Sequence, residues 1–167
     1  LTLRFPVLHY GVVPEFDKDN WDFRVFGEVE EEVRLNWEEF CALPQTEIAM
    51  DIHCVTAWSK MDTLWRGVSL ITLLDRGILR PSLSASVVVQ HCEQGYTTNL
   101  PIKTAMGENF MLATHYEGVP LAPEHGYPVR GVCGAIPGRA DLDDVYLWKG
   151  GKWIRGLELL SGDKPGF

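Results

Sequence analysis

Glu47-Ile48-Ala49-Met50-Asp51-Ile52-His53-Cys54 reads as a strand. In an extended chain Ile48, Met50, Ile52 and Cys54 share one face, and Glu47, Ala49, Asp51 and His53 share the other. The first face is apolar and ends in a thiol. Val55-Thr56-Ala57-Trp58-Ser59 follows as a loop. A cysteine delivered to a strand end, with a loop beyond it, is placed to hold something.

Outward from this stretch the chain is a succession of short elements. Leu1–Asp19 is an extended arm containing His9. Trp21, Phe23 and Val25 alternate with Asp22 and Arg24 in a half-buried strand that ends at Gly27, with Val33-Arg34-Leu35 as its hairpin partner. Asn36 and Glu39 predict a reciprocal helix cap, and a short helix from Trp37 to about Leu43 closed by Pro44. Ser69 caps a second helix, Leu70 to Arg76, with Gly77 as its left-handed stop. Val87-Val88-Val89 is a continuous apolar run of the kind buried on both sheet faces, and it leads through Gln90-His91-Cys92 to a turn at Gly95. Phe110 to Ala113 reads as a strand or a short buried segment, and Val129 to Cys133, Val145 to Trp148 and Trp153 to Leu160 are further strand candidates. Pro120 to Pro128 and Ile136 to Asp144 read as loops. Residues 1–167 are therefore expected to form one α+β domain of mixed β-sheets with short helices.

The totals narrow the function. A formal net charge of −8 argues against a general nucleic-acid binder. No apolar run approaches the length of a bilayer-spanning helix. The 4 cysteines (Cys41, Cys54, Cys92 and Cys133) form no CxxC pair, which suits a reduced compartment. Cytoplasmic placement is the expectation, and periplasmic placement the alternative if a leader preceded Leu1.

Three constellations could carry chemistry. His53-Cys54 and His91-Cys92 invite a zinc reading, but adjacent strand residues point to opposite faces, so each pair offers one ligand to a given site. Cys54 could be a nucleophile served by a base from His9, His91, His115 or His125, or it could be an inert buried thiol. Third, His125, Arg130, Lys149 and Lys152 stand out as basic groups in an acidic chain. Such groups are either solvated surface charge or convergent donors for a phosphate-bearing cofactor. Spacing leaves these alternatives open.

Five segments in order carry a resemblance: His53-Cys54-Val55-Thr56-Ala57-Trp58-Ser59, Trp65-Arg66-Gly67-Val68, Gly95-Tyr96-Thr97-Thr98-Asn99-Leu100-Pro101, Gly118 to Arg130, and Lys149-Gly150-Gly151-Lys152-Trp153. Together they resemble the molybdopterin-binding domain of the sulfite oxidase family, and most of all its stand-alone bacterial members. The resemblance implies that family's mixed α+β fold around one molybdenum cofactor, and oxygen-atom transfer on a sulfur compound. It assigns Cys54 as the thiolate ligand of molybdenum, with His53 beside it. His125 and Arg130 match the pair that grips the cofactor phosphate, with Lys152 and Lys149 in the same site. His9 falls where relatives place a polar contact from the arm, and Tyr96 matches the tyrosine near the oxo group.

Two departures bear on the substrate. Sulfite-oxidising members carry an arginine where this chain has Ser59, and another where Leu8 sits. The resemblance therefore implies a small-molecule substrate of either sulfite or sulfoxide type. It also implies exchange of electrons with a separate protein, a haem protein being one candidate. The alternative is a cofactor-binding subunit or carrier without turnover.

Overall fold

The structure is a computed structural model that describes residues 11–53, 59–143 and 147–162. Alternation around Trp21 becomes β1 (Asp22–Gly27), with Trp21, Phe23 and Val25 buried and Asp22 and Arg24 half-buried. β2 (Val33–Asn36) pairs with it antiparallel. Asn36 then starts α1 (Trp37–Cys41). Its side-chain oxygen accepts from the Glu39 amide at 2.8 Å, and the Glu39 carboxylate accepts from the Asn36 amide at 3.0 Å. Two orphan helix donors are satisfied by two residues the sequence places three apart.

β3 (Thr46–His53) carries the opening stretch, with Met50 and Ile52 buried on the expected face. Its antiparallel partner is β4 (Ser59–Val68), so Ser59, expected at the end of a loop, is the first residue of a strand. Its mixture of Lys60, Met61 and Asp62, with Asp62 at a φ of 52°, hides the alternation. α2 (Leu70–Asp75) follows on the Ser69 cap, whose hydroxyl accepts from Thr72 at 3.1 Å.

β5 (Val87–Cys92), β6 (Thr97–Pro101) and β10 (Ile154–Leu160) complete the first sheet in the order β2-β1-β10-β5-β6, in which only β1 and β10 run parallel. After β6 comes the one-turn helix α3 (Ile102–Ala105). β7 (Phe110–Tyr116) and β8 (Val119–Pro120) extend the second sheet as β3-β4-β7-β8, while β9 (Arg130–Cys133) also pairs with β7. Of the strand expected over Val145–Trp148, Val145 and Tyr146 lie outside the described residues, and the rest is not a strand. Leu147–Lys149 is a 3-10 turn closed by the Gly150 amide donating to the Leu147 carbonyl at 2.9 Å.

β7, in the second sheet, is buried on both faces. Phe110 and Leu112 enter a core with Phe23, Val25, Val88 and Ile154. The intervening Met111 and Ala113 enter a second core with Met50, Ile52, Trp65 and Val132. The strand period of two sends neighbours to opposite cores, and each large side chain so buried contributes about 1.5–3 kcal/mol. No helix among the described residues is long and apolar enough to cross a membrane.

Candidate functional site

Strand alternation also decides where the basic residues meet. On β5, Val88 and Cys92 face the first core, so Gln90 between them is turned inward as well. β9 crosses at this level with Gly131 against the Gln90 carboxamide, close enough that a β-carbon on Gly131 would overlap its oxygen. The segment Lys149–Lys152 runs past both. Gly150 lies against the Gly131 carbonyl and Gly151 against the Cys92 sulfur, again with no room for a β-carbon. Three glycines thus let a strand, a turn and the β5 side chains occupy one small volume.

Arg130 lies at the centre of this arrangement and is 3% exposed. Its Nε donates to the Gly131 carbonyl at 3.1 Å, and its terminal nitrogens donate to the His125 carbonyl at 3.2 Å and the Gly150 carbonyl at 3.3 Å. Burial brings the guanidinium pKa down from 12.5 to about 10, while Cys133, Cys92 and Tyr96 pull the other way. His125 closes the turn Pro123–His125, and Gly126 leaves it at a φ of 113°. A β-carbon at Gly126 would sit 2.9 Å from the Arg130 β-carbon and 3.3 Å from Lys152, so this glycine brings all three basic residues together.

Lys152 Nζ donates to the Glu124 carbonyl at 2.8 Å. Burial, then the Arg130 charge, lowers its pKa from 10.5 to about 8, with Glu124 opposing. The same forces act on His125: burial first, then Lys152 and Arg130, press its pKa below 6.5 against Glu124. Lys149 Nζ donates to the Asn99 side-chain oxygen at 3.1 Å. Crowded, partly desolvated cations are costly by themselves. An arriving phosphate would favour the charged forms of Lys152 and His125 and add charge-assisted hydrogen bonds. The donor set therefore fits a phosphate-bearing group.

Tyr96 follows the turn Glu93–Gly95 that joins β5 to β6. It is 41% exposed, and burial of the rest of the ring, then nearby Cys92, raises its pKa, against a hydrogen bond with Thr98. The cluster thus contains His125, Arg130 and Lys152, with Tyr96 on its wall, and the Lys149 side chain reaches Asn99. His53 stands elsewhere, at the end of β3, where its Nδ1 is 2.9 Å from the Ser59 hydroxyl. Cys54 and His9 lie outside the described residues. Cys92 and Cys133 are buried, and burial pushes both thiols up to about 12, which makes them inert at neutral pH. Among the described residues no three His, Cys, Asp or Glu side chains converge as a metal site.

Gln90 and Asn99 are the members of the cluster that residue-type reasoning passed over. A signal existed for the first: a glutamine in the inward phase of an otherwise apolar strand.

Comparisons with known proteins converge on one description. A family model described as "Oxidoreductase molybdopterin binding domain" matches residues 10–167. The chain is 39% identical over 168 aligned residues to the oxidoreductase YuiH of Bacillus subtilis, spanning 100% of this chain and 79% of that one. It is 28% identical over 161 residues to the protein-methionine-sulfoxide reductase catalytic subunit MsrP of Gluconobacter oxydans, spanning 87% of this chain and 48% of that one. Among solved structures, the sulfane dehydrogenase SoxCD from Paracoccus pantotrophus superposes with a TM-score of 0.74 at 20% identity, over 92% of this chain and 41% of that one. That likeness shows the shared fold.

Proposed function

Since this chain belongs to the oxidoreductase molybdopterin binding domain family, we propose that it transfers an oxygen atom to or from a small sulfur compound, with His125, Arg130, Lys149 and Lys152 holding the cofactor phosphate. The observation that carries the reading is the convergence of buried Arg130 with Lys152 and His125 around Gly126. When bound, the molybdenum cofactor supplies two-electron oxygen-atom transfer, and the protein supplies position and electrostatics.

The residues of this chain divide that work. The three carbonyls on Arg130 fix its guanidinium in place, so charge is presented to the phosphate without rearrangement. Lys152 and His125 take up protons as the anion settles, because its charge reverses the forces that lower their pKa values. Cys54, as a thiolate, is the proposed ligand of molybdenum, a soft donor suited to a sulfur-ligated metal. His9 and His53 are proposed as polar contacts to the cofactor. Tyr96 is neutral at working pH, its phenol pKa being raised, so it remains a hydrogen-bond donor to a substrate oxygen.

Ser59 supports a neutral sulfoxide over sulfite. Its hydroxyl is engaged with His53 and brings no positive charge to this strand end. The relative MsrP is named for protein-methionine-sulfoxide reduction and as a catalytic subunit, which supports the same substrate class and a separate electron partner, haem-bearing or otherwise. Protein made in a molybdenum-competent host tests the reading by metal and pterin analysis. Stoichiometric molybdenum that is lost in Cys54→Ser supports it, and metal-free wild-type protein sinks it. The neutral Ser59 also keeps a cofactor carrier as the second reading. Loaded protein that turns over neither sulfoxides nor sulfite with an artificial electron partner favours the carrier.

A further inference from the structure

We infer that Gln90 is the positioning residue of the anion site, holding the Lys149–Gly151 main chain so that Lys152, which follows it, is preset beside Arg130. The inference rests on the reading that these basic residues bind a phosphate.

Gln90 is fully buried, and both ends of its carboxamide are used. Its Nε2 donates to the Lys149 carbonyl at 2.6 Å, and its Oε1 accepts from the Gly151 amide at 2.9 Å. One side chain thereby takes the place of a neighbouring strand for this segment. Other partners complete the set: the Gly150 amide donates to Leu147 at 2.9 Å, the Gly150 carbonyl accepts from Arg130, and the Gly151 carbonyl accepts from the Gly131 amide at 2.8 Å. Every polar main-chain group from the Lys149 carbonyl to the Gly151 carbonyl is accounted for. Two of these five bonds come from Gln90.

The chemistry explains why an amide is needed. A segment that presents an outgoing carbonyl and an incoming N–H needs one donor and one acceptor, and a carboxamide provides both on one planar group at every pH. Apolar residues at the same strand phase would leave both groups buried and unsatisfied, at a large local cost. The glycines at 131, 150 and 151 permit the approach, and Gln90 fixes it. Lys149 and Lys152 leave the two ends of the held segment, so its main-chain position sets where their side chains start.

Gln90→Met keeps the bulk and removes both bonds. Val88→Ala, in the same strand and the same core, serves as the control for general loss of stability. Amide hydrogen exchange on full-length protein prepared without molybdate is expected to show Gly151 exchanging on the order of 10- to 100-fold faster in Gln90→Met, beyond any change at Val25 in β1. In Val88→Ala, Gly151 and Val25 are expected to shift together. Gln90→Glu restores an acceptor toward Gly151 in either protonation state, so Gly151 protection should return in that variant, a rescue that loss of packing alone does not produce. With cofactor-loaded protein, molybdopterin should leave Gln90→Met about tenfold faster than Val88→Ala, the equivalent of one lost hydrogen bond. Unchanged exchange at Gly151, or release no faster than in Val88→Ala, overturns the role of Gln90. Wild-type protein that carries no cofactor overturns the phosphate reading instead, and the exchange result still judges the clamp.

Discussion

Arg130 at the start of β9 and Arg155 in β10 are built into opposite kinds of surroundings. Arg155 bonds the Glu93 carboxylate at 2.6 Å, the Asp22 carboxylate, and the Asp22 carbonyl at 2.8 Å, and its guanidinium lies 6.0 Å from the Trp21 ring. The partners described for Arg130 are three main-chain carbonyls. Carboxylates neutralise a guanidinium, whereas carbonyls orient it and leave its charge. The two pKa shifts follow: Arg155 is raised by its acids despite burial, and Arg130 is lowered by burial to about 10. Arg155 is a structural tie across the first sheet. Arg130 is oriented by main-chain carbonyls beside His125 and Lys152.

The comparison can be broken most severely by removing the second of these charges. Arg130→Leu should weaken cofactor retention by about 2–5 kcal/mol, the cost of truncating one partner of a buried charge pair, as measured by molybdopterin release from loaded protein. Retention at the wild-type level would place the phosphate elsewhere. Next in size is Gly131→Ala. Its methyl group would displace the Gln90 carboxamide and should lower stability by about 1–3 kcal/mol, read as a drop in the thermal midpoint together with poorer cofactor retention. An unperturbed midpoint would show that β9 and β5 are less tightly apposed than described.

The third prediction concerns pH. Lys152 in the anion-free protein has a pKa lowered to about 8, so charging it below that value opposes folding, and the penalty disappears as pH rises toward the unfolded value of 10.5. A bound phosphate favours the charged lysine, so its affinity should fall as pH rises above about 8, with proton uptake on binding. His125, also lowered, adds a further gain in affinity as pH falls below its ordinary 6.5. Titration calorimetry of the anion-free protein with inorganic pyrophosphate in buffers of different ionisation enthalpy measures that uptake, and binding without proton exchange contradicts it. The smallest effect belongs to Arg155→Ala. Its partly exposed pairs with Asp22 and Glu93 are worth about 0.2–1 kcal/mol each, so stability should fall modestly with no change in cofactor retention.

Local chemistry was the legible part of the fold. The Asn36–Glu39 cap and the Ser69 cap act within one turn, so sequence spacing is enough to find them. Val87–Val89 reads as a doubly buried strand because burial of consecutive residues leaves a continuous apolar run. β4 and β6 were not legible. Asp62 interrupts the first with a left-handed residue, and the second contains Thr97, Thr98 and Asn99, whose burial depends on partners far away in sequence. The stretch Val-Tyr-Leu-Trp at 145–148 has the composition of a strand, yet at Leu147–Lys149 a 3-10 turn wins because Gln90 takes the Lys149 carbonyl.

For the site, His125, Arg130, Lys149 and Lys152 were identifiable by charge in an acidic chain and by resemblance. The convergence of His125, Arg130 and Lys152 was not, because Gly126, Gly131, Gly150 and Gly151 bring them together through tertiary approach. Gln90 escaped notice for the complementary reason: its role is to hold main chain, and main-chain partners leave no mark on residue spacing.

Cofactor content measured side by side in Arg130→Leu and Arg155→Leu, both made in a molybdenum-competent host, tests the account most directly. Arg155→Leu should retain molybdopterin at the wild-type stoichiometry while Arg130→Leu loses most of it. Equal retention by the two variants would contradict it.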